Sequence, residues 1–406
     1  MFLVNVFTKP LQGLRGRGAE PHKGKKVVTR RFSLLLLPLA AFLVMFGWNS
    51  IENFMALYLS HNFTNAEIAL VFLSIYLSFS ISALLVGAWI ERYKQNLIIT
   101  AGALLYLPFI LSIAIKSTLL MLVLSGIVLG FGASLFFIGC STYILRIAEY
   151  RGQSMGIFNG MVSTGAGLAG LTGGYFLLKN SFSNLFLIGA FFLTLGASLC
   201  LWLKNHKQSS SAENTDVKSE ELFALLKDRN IAKIGVLTFL GILFFGTSKS
   251  FVPLITAALG GSVLDVGIYM FTLVSFALIV AVCGGRLTDK IGRKPGFYVI
   301  MILSACCSFL VAFTDTVYVL FLVGIIFSCV NVLTRTISLA SIGDYLGKKN
   351  CLAMGTAIVI FYTNLSATFS LLLFGILSGE SLKIPFILLG IISILSLLLV
   401  KSLKIP

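Results

Sequence analysis

Three charged side chains stand inside apolar runs of the chain. Glu52 belongs to Trp48-Asn49-Ser50-Ile51-Glu52-Asn53, Lys249 follows Gly246-Thr247-Ser248, and Arg335 shares a polar stripe with Asn331, Thr334 and Ser338. A charge in an apolar segment is costly and is by default a functional candidate. A carboxylate in such a place can take up and release a proton, and a lysine or arginine can hold an anion. Asn49, Glu52 and Asn53 recur at i, i+3 and i+4, which puts them on one helix face. Lys249 lies about ten residues from the end of its run, about 15 Å at 1.5 Å per residue. That is too far for the ammonium to snorkel to water. Asn364 and Tyr143 are weaker candidates of the same kind.

The elements that must carry these residues follow from composition. Of 406 residues, 57% are hydrophobic and 11% are charged, and the mean hydropathy is +0.98. A soluble domain carries about 25% charged residues. A chain this apolar has too little polar surface for water, whereas lipid solvates apolar side chains. At about 20 residues per span the length accommodates about a dozen membrane helices. Long apolar runs such as 32–47 and 386–400, without alternation, exclude a β-barrel. The predicted fold is therefore all-α: a polytopic membrane protein of twelve transmembrane helices.

Spans are predicted at 32–59, 67–90, 96–115, 118–145, 153–178 and 185–203, and again at 232–259, 266–287, 295–313, 317–342, 351–378 and 385–400. A basic tail, 1–31, precedes the first set. A polar linker with one short amphipathic helix, 204–231, separates the two six-helix bundles, 32–203 and 232–406. Of the 31 lysines and arginines, 26 fall on the tail, the linker and the alternate loops of one side, three fall on the other side, and Lys249 and Arg335 lie within spans. This asymmetry predicts an even number of spans with both termini cytoplasmic, in a plasma (inner) membrane.

The halves repeat at an offset of about 198. Gly87 with Glu91-Arg92 ends the second span, and Gly285 with Asp289-Lys290 ends the eighth. Gly156 and Gly355 open the fifth and eleventh. Two pseudo-symmetric bundles with a site at their interface are a transporter pattern.

The net charge of +16 sits mainly in the tail, the linker and short loops, so it reads as topology and not as a nucleic-acid surface. The seven cysteines lie in or beside apolar runs without metal-ligand spacing. His22, His61 and His206 are all outside the spans, and no paired intramembrane carboxylates occur. No metal, cofactor or enzymatic centre is expected. The absence of a G-x4-G-K-[ST] loop argues against ATP-driven transport by this chain alone.

The most specific local pattern is Gly284-Gly285-Arg286-Leu287-Thr288-Asp289-Lys290-Ile291-Gly292-Arg293-Lys294. It resembles the signature loop of the major facilitator superfamily, G-x-L-[AS]-D-[RK]-x-G-R-[RK]. The first-half copy, Gly87 to Lys94, keeps the glycine, an acid and two bases and lacks the later Gly-Arg pair. The resemblance implies that Asp289 and Arg293, with Glu91 and Arg92, hold the cytoplasmic side closed, facing Glu149 and Asp344 at the ends of the fourth and tenth spans. It also implies that the first, fourth, seventh and tenth spans line a central cavity. Three of those four carry Glu52, Lys249 and Arg335.

In the fifth span Gly156, Gly165, Gly170, Gly173 and Gly174 are spaced as in the antiporter motif of drug and metabolite exporters, with Ala169 and Gly170 where that motif has Gly and Pro. Small residues so spaced also serve simple helix packing. The fourth-span arginine common in proton antiporters is replaced by Gly126. The expected function is thus a monomeric secondary transporter in the lipid bilayer that moves a small anionic or zwitterionic organic molecule by alternating access, with proton-coupled export favoured. Asn49, Asn53, Lys249, Asn331 and Arg335 are the expected substrate ligands. Glu52 is the expected proton carrier, or else the counter-charge to Lys249 in a structural ion pair. Proton-coupled uptake and a transporter-like, non-transporting regulator are the alternatives.

Overall fold

The computed structural model describes residues 21–90, 93–147, 151–204, 227–276, 280, 292–346, 352–378 and 381–402, with no strand among them. Twelve spans follow one another: α1 (Pro21–Leu59), α2 (Asn65–Trp89), α3 (Gln95–Leu104 and Leu107–Ala114), α4 (Leu119–Ile147), α5 (Arg151–Leu177), α6 (Phe182–Leu201), α7 (Arg229–Ala258), α8 (Val263–Ser275), α9 (Arg293–Phe313), α10 (Val317–Leu346), α11 (Leu352–Leu377) and α12 (Ile384–Lys401). Ten of them are long and apolar enough to cross a membrane unaided; the described part of α8 is shorter, and α5 is rich in glycine. α1 begins at Pro21, ahead of the expected start at 32. The linker helix expected within 204–231 falls largely outside the described residues. An even number of spans brings the chain back to the face on which it starts. That face is called proximal here and the opposite face distal.

The two bundles are built alike. In the first, α1 packs on α5 and α6, α2 on α4, and α3 on α4 and α6. In the second, α7 packs on α11 and α12, α8 on α10, and α9 on α10 and α12. Their caps match as well. Thr64 opens α2 with a capping box to Glu67, and Ser262 opens α8 with a capping box to Asp265, each residue 198 positions from its counterpart. Such a box satisfies two of the orphan amides of a helix start. Packing repeats at the same offset: Gly126 of α4 lies against Ser74 of α2, and Gly324 of α10 lies against Thr272 of α8. A Cβ at either glycine would collide with the facing hydroxyl. Gly126, where the resemblance would place the arginine of proton antiporters, is a helix-packing position.

The bundles meet along two long seams, α2 with α11 and α5 with α8, and more briefly where α1 meets α7. The α5–α8 seam is a glycine contact. A Cβ on Gly170 would fall 2.8 Å from Cβ of Met270, and one on Gly267 would fall 3.0 Å from Cα of Gly174. Two other glycines of α5 turn to α1: Gly165 lies against the Phe42 carbonyl and Gly173 against the Phe54 ring. The small residues of α5 therefore serve two interfaces at once.

Candidate functional site

α1 reaches the site with its distal third. Glu52 is seven residues from Leu59, about 10 Å below that end. α7 brings Lys249 from the other bundle. Pro253 lies inside α7, four residues on. It has no amide to give to the Lys249 carbonyl, and its ring crowds that carbonyl, so the helix is weakened at the residue that carries the charge.

The Lys249 ammonium donates to Glu52 Oε2 at 2.5 Å and to Asn49 Oδ1 at 2.9 Å. Asn49 is itself fixed by donating Nδ2–H to the Met45 carbonyl at 2.8 Å. The other carboxylate oxygen of Glu52 accepts from the Tyr76 hydroxyl of α2 at 2.6 Å. Glu52 and Lys249 are 5% and 12% exposed. The pair links the two bundles through α1, α2 and α7. Breaking such a buried pair by removing one partner costs about 3–5 kcal/mol, because the other charge is left uncompensated.

Arg335 is held differently. It sits on α10, eleven residues from Leu346, yet its side chain is exposed. Its guanidinium carbon lies 5.9 Å from the centre of the Phe245 ring of α7, and Tyr76 of the opposite bundle is within its electrostatic range. A side chain near both α7 and α2 faces the seam between the bundles and not lipid. No ion pair forms on it among the described residues. Asn331, one turn before it, is 9% exposed, and its amide oxygen is buried without a hydrogen-bond partner. The remaining polar residues of the stripe are satisfied: Thr334 donates to the Val330 carbonyl at 2.7 Å, and Ser338 accepts from Thr238 at 2.6 Å.

Of the residues read from the sequence, Asn49, Glu52 and Lys249 come together, and Asn331 and Arg335 form a second group. Asn53 joins neither. Its amide donates to the Ala166 carbonyl of α5 at 3.4 Å and lies against Gly170, a helix-packing position. Asn364 donates to the Ile360 carbonyl of its own helix, and Tyr143 donates to the Lys204 carbonyl.

Among the gate residues, Glu91, Arg92, Glu149 and Asp289 lie outside the described residues, and the side chain of Asp344 lies outside them too. Arg293 is the first residue of α9. Gly292 before it has φ +97°, a backbone conformation that an L side chain rarely takes. Beside it the Lys294 ammonium donates to the Lys401 carbonyl at 2.9 Å, and that of Lys233 to the Ser402 carbonyl at 3.0 Å. Both cations cap the negative end of α12. Tyr76 escaped the sequence reading. A tyrosine within an apolar span gives no sign of its hydroxyl's partner until α2 lies beside α1.

The sequence profile of the Major Facilitator Superfamily matches residues 37–338 and 234–405. An uncharacterized MFS-type transporter of Methanocaldococcus jannaschii is 24% identical over 269 residues, 64% of this chain and 69% of that one. Among solved structures, a D-xylose–proton symporter superposes with a TM-score of 0.75 at 14% identity, covering 92% of this chain and 97% of the other. A bacterial homologue of the human lysosomal transporter Spinster, inward-facing and unoccupied, gives 0.72 at 13% identity, covering 95% and 98%. The nucleoside transporter NupG gives 0.70 at 14%, covering 91% and 98%. At these identities the likeness carries the fold.

Proposed function

The chain belongs to the Major Facilitator Superfamily, and we propose that this transporter exports a small organic anion in exchange for protons by alternating access. The observation that carries the reading is the contrast between its two intramembrane cation sites. Lys249 is neutralised by Glu52, whereas Arg335 faces the inter-bundle seam with no counter-ion among the described residues. A guanidinium facing the seam offers a bidentate seat for a carboxylate, and the substrate anion supplies the missing charge.

Glu52 is the proton carrier in this reading. While ionised it binds Lys249 and pins α1 to α7 near the distal face. It takes up a proton from the distal side while the ends of α1 and α7 are apart and gives it up to the proximal side before the pair with Lys249 re-forms, so the proton moves inward as the anion on Arg335 moves outward. The placement of the pair supports this order of events. It lies toward the distal ends of α1 and α7, which pack together, while among the described residues α4 and α10 make no comparable contact. The bundles 32–203 and 232–406 are the two moving bodies, and one monomer holds the whole site. We assign the proximal face to the cytoplasm on the lysine and arginine asymmetry and place the chain in the plasma membrane. The glycine contacts of α5 with α1 and α8 are consistent with export.

The test is substrate-dependent proton movement in proteoliposomes, wild type against Glu52→Gln, with a panel of carboxylate-bearing compounds. Proton flux is expected in the wild type and lost in Glu52→Gln. Flux that persists unchanged removes Glu52 from the coupling step. Running the exchange in vesicles of each orientation decides export against uptake.

A further inference from the structure

The Asn331 amide is the least explained polar group near Arg335. Its oxygen is buried without a partner, while its Nδ2 is not sealed in and makes no hydrogen bond among the described residues. Under either assignment of oxygen and nitrogen, one end of the amide stays accessible and unpaired among the described residues. Burying an unsatisfied amide is costly, and a leucine here would avoid that cost. Asn331 and Arg335 are four residues apart on α10, with Cβ atoms about 6 Å apart on one face. The neighbouring Thr334 and Ser338 have filled their hydrogen bonds within the protein. Two adjacent side chains thus have open hydrogen-bonding capacity, one cationic and one both donor and acceptor.

We propose that Arg335 and Asn331 form a two-point site for a hydroxycarboxylate, with the carboxylate on the guanidinium and the neighbouring hydroxyl on the amide. This rests on the anion-transport reading and narrows it. A hydroxyl donates and accepts, so it pairs with whichever end of the amide is accessible, whereas an ammonium has no acceptor for Nδ2. Charge argues the same way. With Lys249 neutralised by Glu52, Arg335 leaves the seam net positive among the described residues, which disfavours a cationic group beside it. Phe245 lies against the guanidinium, and a stacked guanidinium keeps its in-plane N–H groups for the carboxylate.

The experiment uses the full-length protein in detergent and titration calorimetry with three ligands on one carbon chain: 2-hydroxyhexanoate, hexanoate and norleucine. Wild type is expected to bind the hydroxy acid about ten-fold or more tightly than either of the others. Asn331→Leu is expected to bring the three within about two-fold, mainly by weakening the hydroxy acid, with the melting temperature unchanged or higher because no protein hydrogen bond is lost. Arg335→Gln is expected to abolish binding of all three. Equal affinities in the wild type overturn the proposal, as does a preference that survives Asn331→Leu. A lower melting temperature in Asn331→Leu also overturns it, since the amide would then be structural. If either result comes with Arg335-dependent binding, the broader anion reading stands. Binding of none of the three overturns the proposal, and anion transport insensitive to Arg335→Gln overturns the broader reading.

Discussion

α4 and α10 occupy equivalent places in the two bundles, start and end 198 or 199 residues apart, and pack through equivalent glycines, Gly126 and Gly324. Their chemistry is not equivalent. Where α10 has Asn331 and Arg335, α4 has Ala133 and Phe137 at the same offset. Phe137 stacks on Phe79 with ring centres 5.9 Å apart. The same asymmetry holds for α1 and α7, where Glu52 faces Lys249 while their equivalents are Ser250 and Ile51. The repeat conserves what builds a bundle and lets the site diverge. A scaffold residue answers to neighbours that recur in both halves, whereas the proposed ligands Asn331 and Arg335 answer to a substrate that need not share the pseudo-symmetry of the bundles.

The comparison breaks most visibly at α10. Arg335→Gln is expected to lower transport kcat/KM by about 100-fold or more, the loss of a charge-assisted, bidentate anion contact. Phe137→Leu on α4 is expected to change it by less than about three-fold, since that position loses only packing. Flux assays on equal amounts of inserted protein decide this, and comparable losses in both would contradict a one-sided site.

The next effect is on stability. Glu52→Gln or Lys249→Met alone is expected to cost about 3–5 kcal/mol in detergent unfolding, because one buried charge is orphaned. The double variant is expected to recover most of that loss while proton coupling stays absent. Additive losses would mean that the two residues do not act as a pair.

The smallest effect sharpens the symmetric side of the comparison. Thr64→Ala and Ser262→Ala remove equivalent caps, and each is expected to cost about 1 kcal/mol. Unequal costs would show that the bundles differ in how tightly their distal loops are held.

The spans were legible because hydropathy and the distribution of basic loops are properties of single segments, and the signature loop, read as a resemblance, named the family. The capping boxes, Thr64-x-x-Glu67 and Ser262-x-x-Asp265, went unread, because so short a pattern is informative only once a helix start is known. Individual site roles were less legible than the spans. Asn49, Glu52 and Asn53 look like one face at i, i+3 and i+4, but on a helix of 3.6 residues per turn Glu52 and Asn53 diverge by about 100°. That arc spans two neighbours, so Glu52 meets α7 while Asn53 meets α5. Tyr76 was invisible for the opposite reason, since its value lies wholly in a partner on another helix.

Pro253 gives α7 a mechanical character that its hydropathy conceals. The Lys249 carbonyl has no amide to release when the helix bends there, so the distal end of α7 can pivot without melting a turn. The pivot is also the residue that carries the charge of the latch. In the proposed cycle, swinging that short lever and separating Lys249 from Glu52 are then one motion, which needs the ion pair broken but no turn of α7 unwound.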